Sequence, residues 1–244
     1  MKLGVNIDHV ATLRQARYRG YRTVDSRSEP GILDAVRSVE KAGAHGITFH
    51  LREDRRHIQD ADVWIIKQNC RLPLNFEMSM NPEILKIALK LQPHEVCLVP
   101  ERRQEVTTEG GLDVTRGGKR LQKTIQALQK QNIIVSLFIA PDPKHIRAAA
   151  ALGAEFIELH TGAFAEARTP TQQKRQLARL KEGAQLAASL GLRVNAGHGI
   201  RYTNVKFILE IPFLETLNIG HSIVSRAVTV GLEQAVREML QKIN

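Results

Sequence analysis

Hydrophobic and polar positions along the chain repeat a single unit. A short apolar or β-branched run is followed by a polar tip and then by an amphipathic helical stretch, and eight such units can be counted. The predicted strands are Lys2–Ile7, Gly46–His50, Leu74–Glu77, Glu95–Leu98, Ile133–Ile139, Phe156–His160, Arg193–Asn195 and Thr216–Ile219. Near-continuous apolar runs of this kind suit a parallel sheet covered by helices. Gly43, Gly153 and Gly191 each follow a helical stretch and precede a strand, as a left-handed C-terminal stop does. Asp142-Pro143 and Thr169-Pro170 read as N-caps followed by a first-turn proline. After Pro170, the residues Leu177, Leu180, Ala184 and Ala187 form one buried stripe, with Lys174, Arg175, Arg179 and Glu182 mostly outside it.

No linker rich in Pro, Gly or Ser interrupts this alternation, so residues 1–244 are expected to form a single domain. An open doubly wound sheet is the alternative. The unit count and the length of 244 residues favour an α/β fold of the closed (β/α)8 TIM-barrel type, with extra short helices.

Composition is ordinary for a globular chain, at 43% hydrophobic and 25% charged. No apolar run approaches the ~18 residues of a membrane span, and Met1 leads straight into a strand without a leader's apolar region. The two cysteines, Cys70 and Cys97, read as small buried residues in a reducing, cytoplasmic setting, a disulfide or metal pair being the alternative. The formal net charge of +10 admits nucleic acid, an anionic membrane or anionic small substrates as its cause. Lys and Arg are spread along the chain and aromatic residues make up only 5%, which argues against nucleic acid. The Arg-rich stretch from Arg14 to Arg27 is expected to be a solvated loop.

The unusual side chains stand at strand ends. They are Asn6, Asp8 and His9 after the first strand, His50 and Arg52 after the second, Glu77 on the third, and Glu158 and His160 on the sixth. Gly197, His198 and Gly199 follow the seventh, and Gly220 and His221 the eighth. Five of the nine histidines (His9, His50, His160, His198 and His221) would therefore meet at one mouth of a barrel. His45, His94 and His145 fall elsewhere and are expected to be structural. No His-x-His pair, Cys/His ligand spacing, strand-end lysine, dinucleotide fingerprint or Walker loop occurs. What remains is acid–base chemistry by histidine and carboxylate, with no cofactor or metal expected. The glycines around His198 and His221, with a short helix over Ser222 to Arg226, suit phosphate. A second anion cluster could form from Arg52, His57 and Thr107. The long polar loop from Glu101 to Gly118 could act as a lid.

Taken together, Gly4-Val5-Asn6-Ile7-Asp8-His9, the segment His50 to His57, Val99-Pro100-Glu101 with Glu105 to Gly111, Asn195 to Gly199 and Asn218 to His221 closely resemble the pyridoxine 5′-phosphate synthase family over nearly the whole chain. The resemblance implies an octameric barrel without a cofactor, acting on two phosphorylated small molecules, 1-deoxy-D-xylulose 5-phosphate and 3-amino-2-oxopropyl phosphate, and engaging neither nucleic acid nor membrane. It implies His50 and Glu77 as proton acceptors, His198 as proton donor and Glu158 as a transition-state stabiliser. Asp8, His9, Arg52, His57 and Thr107 would hold the deoxyxylulose phosphate. Asn6, Arg17, Gly199, Gly220 and His221 would hold the amino ketone phosphate. The stretch Tyr18 to Pro30 is longer and more basic than the family pattern. Another phosphosugar isomerase or aldolase on the same barrel, and a non-catalytic anion-binding protein, are the competing readings.

Overall fold

The computed structural model describes residues 1–19, 28–101, 105, 107 and 110–244. Most of the basic stretch and part of the predicted lid lie outside them. Eight parallel strands close in sequence order into a barrel: β1 (Lys2–Asn6), β2 (Gly46–His50), β3 (Leu74–Met78), β4 (Glu95–Leu98), β5 (Ile134–Ile139), β6 (Phe156–His160), β7 (Arg193–Gly197) and β8 (Leu214–Ile219), with β8 pairing back on β1. Among the described residues the helices are α1 (Asp8–Tyr18), α2 (Ile32–Ala42), α3 (Asp60–Asn69), α4 (Pro82–Leu91), α5 (Gly118–Gln129), α6 (Pro143–Ala151), α7 (Gly162–Ala165), α8 (Pro170–Ser189), α9 (Val205–Ile208), α10 (His221–Val230) and α11 (Leu232–Ile243). No described helix is long and apolar enough to cross a membrane.

The local signals act as their chemistry requires. Gly43, Gly153 and Gly191 have φ of 86°, 77° and 80°. Asp142 and Thr169 accept from the backbone N–H of Lys144 and Gln172, capping α6 and α8. In α8, Leu180, Ala184 and Ala187 are buried and Leu177 is half-buried. Five strands differ from expectation at their ends: β1 stops at Asn6, β3 runs on to Met78 and β5 starts at Ile134, each by one residue, and β7 and β8 differ by two. β7 runs on to Gly197, because Ala196 and Gly197 pair with β6 and β8 through backbone alone. β8 begins at Leu214, where an irregularity between Val194 and Asn195 shifts the register.

The strands are also less uniformly apolar than their runs suggest. Leu3, Val5, Ile47, Phe49, Phe76, Val96, Leu98, Val135, Leu137, Ile157 and Leu159 are fully buried and form the layer under the helices. The alternate positions fill the lumen with polar groups instead of the branched apolar side chains usual in such barrels. Across the lumen Thr48 Oγ1 donates to Asn218 Oδ1 at 3.0 Å, Asn218 Nδ2 donates to Glu158 Oε2 at 2.6 Å, and Asn195 Nδ2 donates to Glu95 Oε1 at 3.3 Å. These bonds offset part of the cost of that burial, although both polar atoms of the Asn75 side chain and Asn195 Oδ1 find no hydrogen-bond partner among the described residues.

A further correction concerns Arg14. It lies on α1 and is 1% exposed, not in a solvated loop, and it meets Asp62 of α3. The segment Gly111-Leu112 lies against the end of β5, with Leu112 N–H donating to Phe138 O at 2.7 Å. A Cβ on Gly111 would stand 2.5 Å from Ala140 N and 2.8 Å from Ile139 C, both backbone atoms that cannot move aside. Gly111→Ala is therefore expected to lower stability by ~1–3 kcal/mol, the usual cost of overpacking, as read by urea titration. An unchanged midpoint would show that this segment is not pinned as described.

Candidate active site at the C-terminal mouth of the barrel

Asp8 begins α1 immediately beyond β1, and its position is set by short bonds. Its backbone N–H donates to Asn6 Oδ1 at 2.9 Å, its Oδ2 accepts from Asn6 Nδ2 at 3.1 Å, and its Oδ1 accepts from the backbone N–H of His50 at 2.8 Å. Asn6 Nδ2 also lies 3.5 Å from Glu77 Oε2. His50 and Glu77 are register partners on β2 and β3, so strand pairing itself puts them side by side. A ring nitrogen of His50 and one carboxylate oxygen each of Asp8 and Glu77 lie within 4.8 Å of one another. That spacing could serve a cation, but it equally lets protons pass between the three groups.

Burial raises the Asp8 pKa to about 6, against the lowering effect of His50 and its N–H. Burial, together with the nearby charges of Asp8 and Glu158, holds Glu77 well above the usual carboxylate range. Burial likewise raises Glu158 to about 8, although Asn218 donates to it. Deeper in the lumen, desolvation brings Glu95 to about 7. Near neutral pH this lumen can hold protons that exposed carboxylates would have released.

The histidines form neighbouring groups at the mouth. His9 and His221 are edge to face, with ring centroids 4.8 Å apart and Nδ1 atoms 3.2 Å apart. The tilted rings of His160 and His198 lie 4.9 Å apart, and both meet Phe138 edge to face. His50 and His57 lie 6.1 Å apart. The groups sense one another. Burial, then His221 and His198, lower the His9 pKa. Burial, followed by His50 and Arg52, brings His57 to about 4, and its Nδ1 accepts from Ile58 N–H at 2.8 Å. His198 is exposed at φ 71°, in the left-handed region, and its carbonyl accepts from Thr161 Oγ1.

Gly199 (φ 77°) follows His198, and its carbonyl accepts from Asn204 Nδ2 at 3.0 Å. Gly220 packs so closely on Asn6 that a Cβ would meet the Asn6 Cβ at 3.0 Å. His221 opens α10, which runs to Val230, longer than the expected Ser222 to Arg226. Of the Arg52, His57 and Thr107 group, Arg52 lies close enough to His57 to help lower its pKa. Arg52 faces Asp54 Oδ1 at 3.4 Å and Glu101 Oε2 at 3.7 Å, and Thr107 closes a turn with Gly110 and Gly111. Arg17 is exposed in the last turn of α1. Its Cα lies nine residues, roughly 13 Å, along the helix from Asp8.

Glu101 was missed by the choice of site residues from sequence. Its side chain is 4% exposed, and its Oε1 lies 2.9 Å from His50 Nε2. Its place directly beyond β4, opposite two strand ends rich in His and Arg, was the available signal. Of the structural histidines, His45 is exposed, and its Nδ1 accepts from Leu3 N–H at 3.2 Å.

A closed eight-stranded barrel with buried carboxyls and histidines at its C-terminal mouth defines a (β/α)8-barrel enzyme. Residues 3–244 match the family described as pyridoxal phosphate biosynthesis protein PdxJ, and the chain belongs to that family. A protein from Cyanothece sp. named pyridoxine 5′-phosphate synthase is 56% identical over 241 residues, covering 99% of this chain and 97% of that protein. One of the same name from Akkermansia muciniphila is 53% identical over 246 residues, covering 100% and 99%. Among solved structures, 3-hexulose-6-phosphate synthase superposes with TM-score 0.63 at 16% identity over all of both chains. Phosphoribosyl anthranilate isomerase from Thermus thermophilus gives 0.60 at 16%, covering 100% and 98%. These two share the barrel.

Proposed function

We propose that the enzyme condenses 1-deoxy-D-xylulose 5-phosphate with 3-amino-2-oxopropyl phosphate, closing the pyridine ring and releasing phosphate and water. The observation that carries this reading is the contiguous set of buried Asp8 and His50 with half-buried Glu77, continued through the lumen by buried Glu158. Imine formation, enolisation, elimination and aromatisation each move protons, and groups with pKa values raised toward neutrality can both take and return them. The substrate carries its own amine, so no lysine is required.

In this reading His50 and Glu77 accept protons from the condensing carbons. His198, at the rim, returns one to a leaving oxygen. Glu158, protonated at neutral pH by its burial, donates a hydrogen bond to negative charge developing on the substrate. Asp8, His9, Arg52, His57 and Thr107 hold the deoxyxylulose phosphate. His57, neutral because of its surroundings, contributes a donor rather than a charge. Asn6, Gly199, Gly220 and His221 hold the amino ketone phosphate at the start of α10, where backbone N–H groups and the helix dipole favour an anion. Arg17 is included on resemblance alone.

Purified enzyme given both substrates and no added cofactor should form pyridoxine 5′-phosphate and inorganic phosphate, measured by fluorescence and phosphate release. Absence of product across the neutral pH range would rule the reading out. His198→Asn should lower kcat by on the order of a hundredfold or more, the usual worth of a placed acid.

A further inference from the structure

His50 makes a second, separate contact. Its Nε2 lies 2.9 Å from Glu101 Oε1, and both side chains are nearly buried, at 10% and 4% exposure. The carboxylate is held from its other side. Oε2 accepts from the backbone N–H of Glu53 at 3.0 Å and faces an Arg52 Nη2 at 3.7 Å. The backbone N–H of Glu101 in turn donates to Glu105 Oε2 at 3.1 Å. A residue just beyond β4 is thus tied to the end of β2, across the intervening β3. Oε2 is occupied by β2-loop groups, so Oε1 is the oxygen left for the imidazole. Asp8 does not compete for this role through its bonded oxygen, because its Oδ1 takes the backbone N–H of His50 rather than the ring.

We propose that Glu101 is a positioning residue for His50, selecting the imidazole nitrogen that accepts the proton. Glu101 accepts from Nε2–H, and the neutral ring then carries its lone pair on Nδ1. When Nδ1 takes the substrate proton, the C–H bond breaks, its electron pair stays on the substrate carbon in conjugation with the carbonyl or imine, and an N–H bond forms. The resulting imidazolium lies against the Glu101 carboxylate, which stabilises it. This is the orienting role that a carboxylate plays behind a histidine base. The inference rests on the proposed role of His50 as proton acceptor.

The near-isosteric Glu101→Gln tests it, with a melting curve to show that the fold is kept. Its kcat/KM should fall by about a hundredfold, with KM for each phosphorylated substrate changed less than about threefold. Glu101→Asp should recover part of the rate. Independently of turnover, 15N NMR of histidine-labelled, ligand-free enzyme should show the neutral His50 ring, assigned by comparison with His50→Gln, as the Nε2–H tautomer. In Glu101→Ala that preference should be lost. An unchanged tautomer in Glu101→Ala overturns the inference even if the enzyme makes no product. A wild-type rate in Glu101→Gln overturns it too. Failure of the proposed reaction itself would appear separately, as wild-type enzyme that makes no product.

Discussion

Glu77→Gln should lower turnover by on the order of a hundred- to ten-thousandfold, the range expected for a lost general base, while leaving the barrel folded. The amide keeps the shape of the side chain and can still meet Asn6, which donates toward Glu77 Oε2 at 3.5 Å. What it cannot do is take a proton. Stability should respond in the opposite direction at high pH. Burial, with Asp8 and Glu158 nearby, raises the Glu77 pKa well above its ordinary value, and Glu158 is raised to about 8. A carboxyl whose folded pKa lies above its unfolded value binds a proton in the folded state that the unfolded chain has already released. Stability therefore falls as pH rises through the window between the two values, which for Glu158 runs from about 4.5 to about 8. The Gln variant removes one such group, so its loss of stability between pH 6 and pH 9 should be shallower than the wild type's. Urea titrations across that range measure it. Near wild-type turnover would remove Glu77 from the chemistry. An equally steep stability profile would show that its proton is not held as described.

Asp62→Ala should be the most damaging single change to the fold away from the mouth. Arg14 Nη1 and Nη2 meet Asp62 Oδ1 and Oδ2, each at 2.7 Å, with the two side chains 1% and 0% exposed. Asp62 also accepts from Gln59 N–H at 2.8 Å at the start of α3, and Arg14 Nη2 lies 3.3 Å from His57 O. Removing one partner leaves a buried, uncompensated guanidinium. The expected cost is ~3–5 kcal/mol, which for a chain of this length is a fall in Tm of roughly 10 °C. Replacing both partners together, as Arg14→Met with Asp62→Leu, should restore most of that stability, because no charge is then stranded. A loss below about 1 kcal/mol in the single variant would mean that water reaches the pair. The same bonds hold the loop carrying His57, so any surviving Asp62→Ala enzyme should also show a raised KM for the phosphorylated substrate His57 is proposed to bind.

Much of this was legible in the chain. The eight units, the caps at Asp142 and Thr169 and the left-handed glycines were readable because each depends on neighbours within a few residues. So was the clustering of His9, His50, His160, His198 and His221. Once a parallel barrel is inferred, every strand end faces one mouth, and position along the chain becomes position in space. Arg14 was misread for the converse reason. An arginine in a basic run is ordinarily solvated, and only the packing of α1 on α3 brings Asp62, 48 positions away, against it.

The eightfold alternation of strand-like runs with amphipathic helical stretches determined the fold, the mouth and the kind of chemistry available there. Tertiary structure alone decided which groups touch. The pairing of His50 with Glu101, the proximity of Asp8 to Glu77 and the polar ladder through Asn218 and Glu158 all join residues far apart in sequence. The proton affinities follow from those contacts. Desolvation and the fields of neighbouring charges act over a few ångströms of space, and nothing in the order of residues records such distances until the barrel closes.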